Sequence, residues 1–154
     1  MNVEKLTEKS RLILEEAIQE AYEYKHQQVD PLHVLKATIT TPETIVGPLF
    51  SALDVGSEKI LDDIESELQK LPKLAEAANP QLTPAVASIF RRAEKESSAM
   101  GDQYVSVEHI LLALGHSEGV IRDLLLKHNL LPTNITSTLE QLRGNMNVTD
   151  QNPE

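Results

Sequence analysis

Apolar and small residues recur along the chain at helical spacing. Leu6, Ser10, Ile13, Ala17, Ala21 and Tyr24 share one stripe of a helix that Thr7 is placed to cap. A second stripe runs through Val86, Ile89, Ala93, Ser97 and Met100. It starts behind Thr83, with Pro84 at the first helical position, where a missing N–H costs nothing, and Gly101 fits the C-terminal cap. Each long helix is followed by a short apolar one, capped by Asp30 (then Pro31) or by Ser106; helices this short depend on their caps. Further helices are predicted over 44–53 and 119–128, with Asp54 and Asn129 turning left-handed at their exits. The last pair covers 57 to about 70, with Ile60, Leu61, Ile64 and Leu68 inward, and begins again near Thr133 with Ile135, Leu139 and Leu142. No strand pattern appears.

The pattern is one pattern used twice. His33 and His109 are 109 − 33 = 76 apart, and the same offset carries Leu6-Thr7 onto Leu82-Thr83, Ile13 onto Ile89 and Ala17 onto Ala93. Across 6–37 against 82–113, 10 of 32 positions are identical without a gap. Chance would give about 2, so the chain contains an internal repeat. The offset falls to 75 in the last helix pair (Ile60 and Ile135), which places a one-residue deletion in a loop. The expected fold is all-α: repeat 1 over residues 1–75, repeat 2 over 76–144, four helices each, packed as one domain. Residues 145–154 are polar and read as a linker towards something longer.

Composition narrows the class. Aromatics are only 3%, so the core is aliphatic. A net charge of −10, with no basic cluster beyond Arg91-Arg92, argues against nucleic acid and against an anionic membrane as partner. No apolar run approaches the ~20 residues of a membrane span. Without cysteine there is no disulfide or thiolate metal site. The N-terminus lacks a signal-peptide pattern, so the expected location is the cytoplasm.

Candidate chemistry is sparse. There is no Gly-rich phosphate loop and no Gly-x-Ser-x-Gly motif, and the five histidines form no His-Glu-x-x-His set. Neither catalytic residues nor a metal nor a cofactor is expected within this chain. His33 and His109 recur at one repeat position, which points to packing between the copies. Asp62-Asp63 reads as a solvated helix face. Glu108 is placed to face the first-turn N–H groups of its helix. The feature with binding character is apolar excess. Leu14 and Ile18 widen the stripe of the first long helix, and Phe90 sits at the position equivalent to Leu14. Such an arc either packs against another helix or forms a shallow groove for an apolar segment of another chain.

Leu6-Thr7-Glu8-Lys9, Asp30-Pro31-Leu32-His33, the run Gly101–Leu114 and the closing Thr149–Glu154 resemble the N-terminal domains of the ClpB group of AAA+ disaggregases, within the Clp/heat-shock chaperones. The resemblance spans essentially the whole chain. The duplicated frame alone suits any Clp N-domain; Val105-Ser106-Val107-Glu108-His109 and the closing Thr149–Glu154 are more like ClpB than ClpA or ClpC. It implies eight helices in two pseudo-twofold-related repeats, the double Clp-N motif. It implies a mobile module that binds unfolded or aggregated polypeptide and carries no ATP site. ATP and Mg would act in ATPase modules outside this chain, in a homohexamer working with a DnaK-type system, while the isolated domain would be a monomer. The family's polar substrate-handling positions fall on Thr7, Asp102 and Glu108, and its apolar groove positions on Phe90 and His109. The groove is then expected where the second long helix meets the following short helix, with Phe90, His109 and Leu14 on its floor and the three polar residues at its rim. Two other readings remain open on the sequence: an adaptor-binding domain of the ClpA or ClpC kind feeding a protease, and a free-standing helical scaffold.

Overall fold

The structure is a computed structural model and describes residues 2–144 and 147–151. Of the expected linker, residues 145, 146 and 152–154 lie outside the described residues. A short 3-10 turn, Val3–Lys5, leads into α1 (Glu8–Glu23), α2 (Pro31–Thr40), α3 (Val46–Ala52) and α4 (Ser57–Leu68). The second repeat supplies α5 (Pro84–Ala99), α6 (Val107–Gly115), α7 (Val120–Lys127) and α8 (Pro132–Arg143). The helices expected from periodicity are all present, most of their ends within one or two residues. Among the described residues no helix is long and apolar enough to cross a membrane.

The two long helices carry the threonine caps that the sequence points to. Thr7 Oγ1 accepts from Ser10 N and Thr83 Oγ1 from Val86 N, both at 3.2 Å. The two long helices end alike, on a left-handed residue: Lys25 at φ 61° and its equivalent Gly101 at φ 76°. His26 N donates to the Ala21 carbonyl and Asp102 N to the Ser97 carbonyl, closing both ends with a Schellman-type bond. Glycine adopts this conformation without a Cβ penalty and lysine does not. Lys25→Gly is therefore expected to stabilise the fold by about 0.5–1 kcal/mol, read from urea unfolding. Asp54 (φ 55°) and Asn129 (φ 61°) are left-handed as the sequence suggests.

Strand pairing was not expected and is present. Two parallel two-residue strands, β1 (Gln28–Val29) and β2 (Gln81–Leu82), place Val29 beside Leu82. A parallel bridge joins Leu6 to Val105. Adding 76 to 29 and to 6 gives 105 and 82, so the two pairings are the same pairing repeated. Each repeat thus clips the residue that leads into its own long helix onto the loop before the other repeat's short helix. Segments of two residues carry no alternation to read in a sequence.

One apolar core spans both repeats. Ile13 and Ile89 are both buried, as the repeat register requires, and Leu35, Leu49, Ile64, Ile110, Leu111 and Leu125 join them. α2 and α6 lie against each other at the centre; α2 also meets α5 and α7, α3 meets α8, and α4 meets α7. Leu142 departs from the expected inward stripe and is 41% exposed. On α8 the buried set is Ile135, Thr138 and Leu139, while Arg143 in the last turn reaches the buried Asp102.

Candidate functional site

The capping chemistry of α2 and α6 brings an imidazole to the start of each helix. Asp30 N donates to His33 Nδ1 at 2.9 Å, and Ser106 N donates to His109 Nδ1 at 2.8 Å. Histidine thus fills the third helical position, which Glu or Gln takes in the usual capping box. An Nδ1 that accepts a backbone N–H holds no proton, so both rings are neutral and protonated on Nε2. What Nε2 meets differs between the repeats. In repeat 1 it donates to His26 Nδ1 at 2.8 Å. In repeat 2 the residue equivalent to His26 is Asp102, and His109 Nε2 donates to Asp102 Oδ2 at 2.7 Å.

Burial pushes His33 down to about 4, helped by the neighbouring His26 ring. The unfolded histidine binds its proton near pH 6.5, so the unfolded chain holds more protons between pH 6.5 and 4. Stability should be full above pH 6.5 and fall as the pH drops towards 4, by up to about 3 kcal/mol from this group. Urea unfolding at stepped pH measures the slope. His33→Gln, which keeps a capping-box side chain without a titrating ring, should flatten it.

Asp102 is the centre of the repeat 2 cluster. Its Oδ1 accepts from Arg143 Nη2 and from Val148 N, each at 2.7 Å, and its side chain is inaccessible to solvent. Burial raises this carboxyl, but the Arg143 guanidinium, the Val148 N–H and His109 together hold it below the ordinary carboxylate range. Burial likewise outweighs the nearby carboxylates and keeps His109 below its usual value. Glu108 accepts from the Ser106 hydroxyl and lies 3.8 Å from Arg143 Nε.

A cavity of about 190 Å³ opens beside this cluster, at the seam where α1, the start of α6 and the end of α8 converge. Ile45, Val107, Leu142 and Val148 give it apolar walls; Thr7, Lys9, Glu108 and Arg143 add polar ones. Thr7 is buried: its hydroxyl is taken up by capping α1 and bonding Ser10 Oγ at 3.0 Å. A larger cavity of about 420 Å³ lies between α5 and the α6–α7 corner, lined by Ile89, Arg92 and His116, and none of the expected site residues borders it.

The structure thus gathers Thr7, Asp102, Glu108 and His109 at one seam and leaves Leu14 and Phe90 out of it. The expected geometry of the groove is corrected in three respects. Phe90 and His109 are both fully enclosed, so neither floors an open groove; a large apolar ring and a doubly bonded imidazole are held in the core. Leu14 packs half-buried against that same core and does not line the seam cavity. None of the three polar residues forms an exposed rim: Thr7, Asp102 and Glu108 are all buried, and the Asp102 carboxylate is committed to His109, Arg143 and Val148. Residues that sequence reasoning missed are Ile45, Val107, Leu142, Arg143 and Val148. The register held one signal: Ile45 and Val107 are the positions equivalent to Ile121 and Pro31, which line a twin cavity in the other half.

Residues 5–128 match the family described as the Clp repeat (R) N-terminal domain. The chain belongs to that family. As a Clp repeat domain it is 32% identical over 158 residues to the chaperone protein ClpB of Bacillus cereus, a match covering 100% of this chain and 18% of that protein. The chain therefore spans less than a fifth of that relative's length. In fold it is similar to the Hsp104 N-terminal domain from Candida albicans, with a TM-score of 0.83, 22% identity, and coverage of 96% of this chain and 97% of that one. It is also similar to the ClpV N-domain in a complex with VipB peptide, at a TM-score of 0.73, 19% identity, and coverage of 92% and 89%. The duplicated four-helix frame is thus the Clp repeat, and the seam cavity lies where the two Clp repeats meet.

Proposed function

We propose that this chain is the polypeptide-binding N-terminal domain of a ClpB-type disaggregase, and that the seam cavity receives apolar side chains of unfolded substrates. The observation that carries this is the cavity itself: apolar walls on a half-open seam, ringed by Lys9, Glu108 and Arg143. Family membership and the peptide complex of the ClpV N-domain support the same reading. Burying apolar area is not directional, at roughly 25 cal/mol per Å², so such a site takes many sequences. A cavity of this size gives weak affinity once ordering of the peptide is subtracted, on the order of tens of micromolar. Weak capture suits a module that hands a chain to a motor. The ATP-driven step, the hexamer and cooperation with a DnaK-type system in stress recovery belong to the remainder of such a protein; ATP and Mg would act there.

Leu142 lines the cavity and is already exposed, so changing it tests binding without emptying the core. Leu142→Gln should weaken binding of a short labelled peptide carrying Leu, Val and Lys by about fivefold, measured by fluorescence anisotropy. Unchanged affinity in a folded variant would place the site elsewhere.

A further inference from the structure

Residues 147–151 lie along the seam. Val148 N donates to Asp102 Oδ1, and the Val148 carbonyl accepts from Gln103 N, both at 2.7 Å. The Gln151 carbonyl accepts from Glu8 N at 2.8 Å, and Gln151 Nε2 donates to the Glu4 carbonyl at 3.1 Å. Glu8 N is one of the first-turn N–H groups that α1 cannot satisfy internally, so the tail supplies a missing acceptor. The Val148 side chain is 6% exposed. Within the segment read from sequence as a linker, residues 147–151 pack on the domain.

The same segment is part of the cavity. Asn147 and Val148 form one side of it, while Thr7, Ile45 and Val107 come from the body of the fold. A side chain filling this space touches tail and body together. The twin cavity in the other half contains Asp30, Pro31, Ala85 and Ile121 at the positions equivalent to Ser106, Val107, Lys9 and Ile45. There the corresponding side is Lys70-Leu71, in the connection that continues into β2. The tail is thus the repeat 2 counterpart of the connection that joins the repeats.

We propose that occupancy of the seam cavity and docking of residues 147–151 form one coupled equilibrium, so that a bound polypeptide fastens the tail. This rests on the reading of the cavity as a polypeptide site. A ligand that touches Val148 binds the docked form better and must stabilise it. By linkage, loss of docking weakens the ligand by the same factor. The load state of the site is thereby passed to residues 147–151.

The amides of Glu8 and Gln103 report docking, because their acceptors are tail carbonyls. The Leu/Val/Lys peptide should slow hydrogen exchange at both by about fivefold in the full chain. Val148→Gly should speed exchange at both and weaken the peptide by the factor that the peptide slows exchange in the wild type. Peptide-induced shifts at Val107 and Ile45 with unchanged exchange at Glu8 and Gln103 would overturn the coupling alone. Unaltered affinity in a Val148→Gly chain whose Glu8 and Gln103 amides exchange freely would do the same. No shift at Val107 and Ile45 would overturn the binding reading and the coupling with it.

Discussion

Asp102→Ala should lower the unfolding free energy by about 3–5 kcal/mol, the cost of removing one partner from a buried charged cluster. The carboxylate satisfies three donors at once: His109 Nε2, Arg143 Nη2 and Val148 N. Alanine leaves a buried imidazole N–H without an acceptor and removes the carboxylate 2.7 Å from Arg143 Nη2. It also frees the tail. Asp102→Asn should cost less, about 1–3 kcal/mol, because the amide oxygen replaces one acceptor while its NH2 faces a donor. Urea unfolding near neutral pH measures both. A loss below about 1 kcal/mol for Asp102→Ala would mean that the cluster is not the anchor described.

Repeat 1 alone, residues 1–75, should not fold. α2 is the reason: it is buried on several sides, and α5, α6 and α7 of the other repeat supply three of them. α3 would lose α8, and α4 would lose α7. The clips Leu6–Val105 and Val29–Leu82 would both be cut, since each joins one repeat to the other. A fragment of that size with half of its core open has too little buried surface to offset chain entropy. The expected result is no cooperative urea transition, or self-association in sedimentation. A monomeric fragment with a sharp transition would contradict the single shared core.

Much of this architecture was legible because a repeat constrains itself. Thr7 and Thr83, or Asp54 and Asn129, each support the assignment of the other, and the 76-residue offset predicted that Ile13 and Ile89 share a fate. The site was less legible. His33 and His109 cap helices with a ring nitrogen, a use that no Glu or Gln spacing announces. Phe90 on a widened stripe suggested a groove, yet a wide stripe is also what a helix needs when neighbours cover it on several sides; the core claimed that ring. Leu142 continues the helical period of Ile135 and Leu139 and still ends in solvent, because the period says nothing of where the neighbouring helix stops. The tail was opaque for a further reason. Its hydrogen bonds to the body mostly use main-chain groups of Val148 and Gln151, which every residue carries, and the buried Val148 and the Gln151 amide sit in no periodic pattern.

On the proposed reading, polypeptide is held at the seam between the repeats. It is tested most directly by titrating an unfolded model protein into isotopically labelled domain and mapping amide shifts. Shifts should cluster at Ile45, Val107, Glu108, Leu142 and Val148, and shrink in Leu142→Gln. Shifts centred instead on Ile89, Arg92 and His116, around the larger cavity between α5 and the α6–α7 corner, would contradict it.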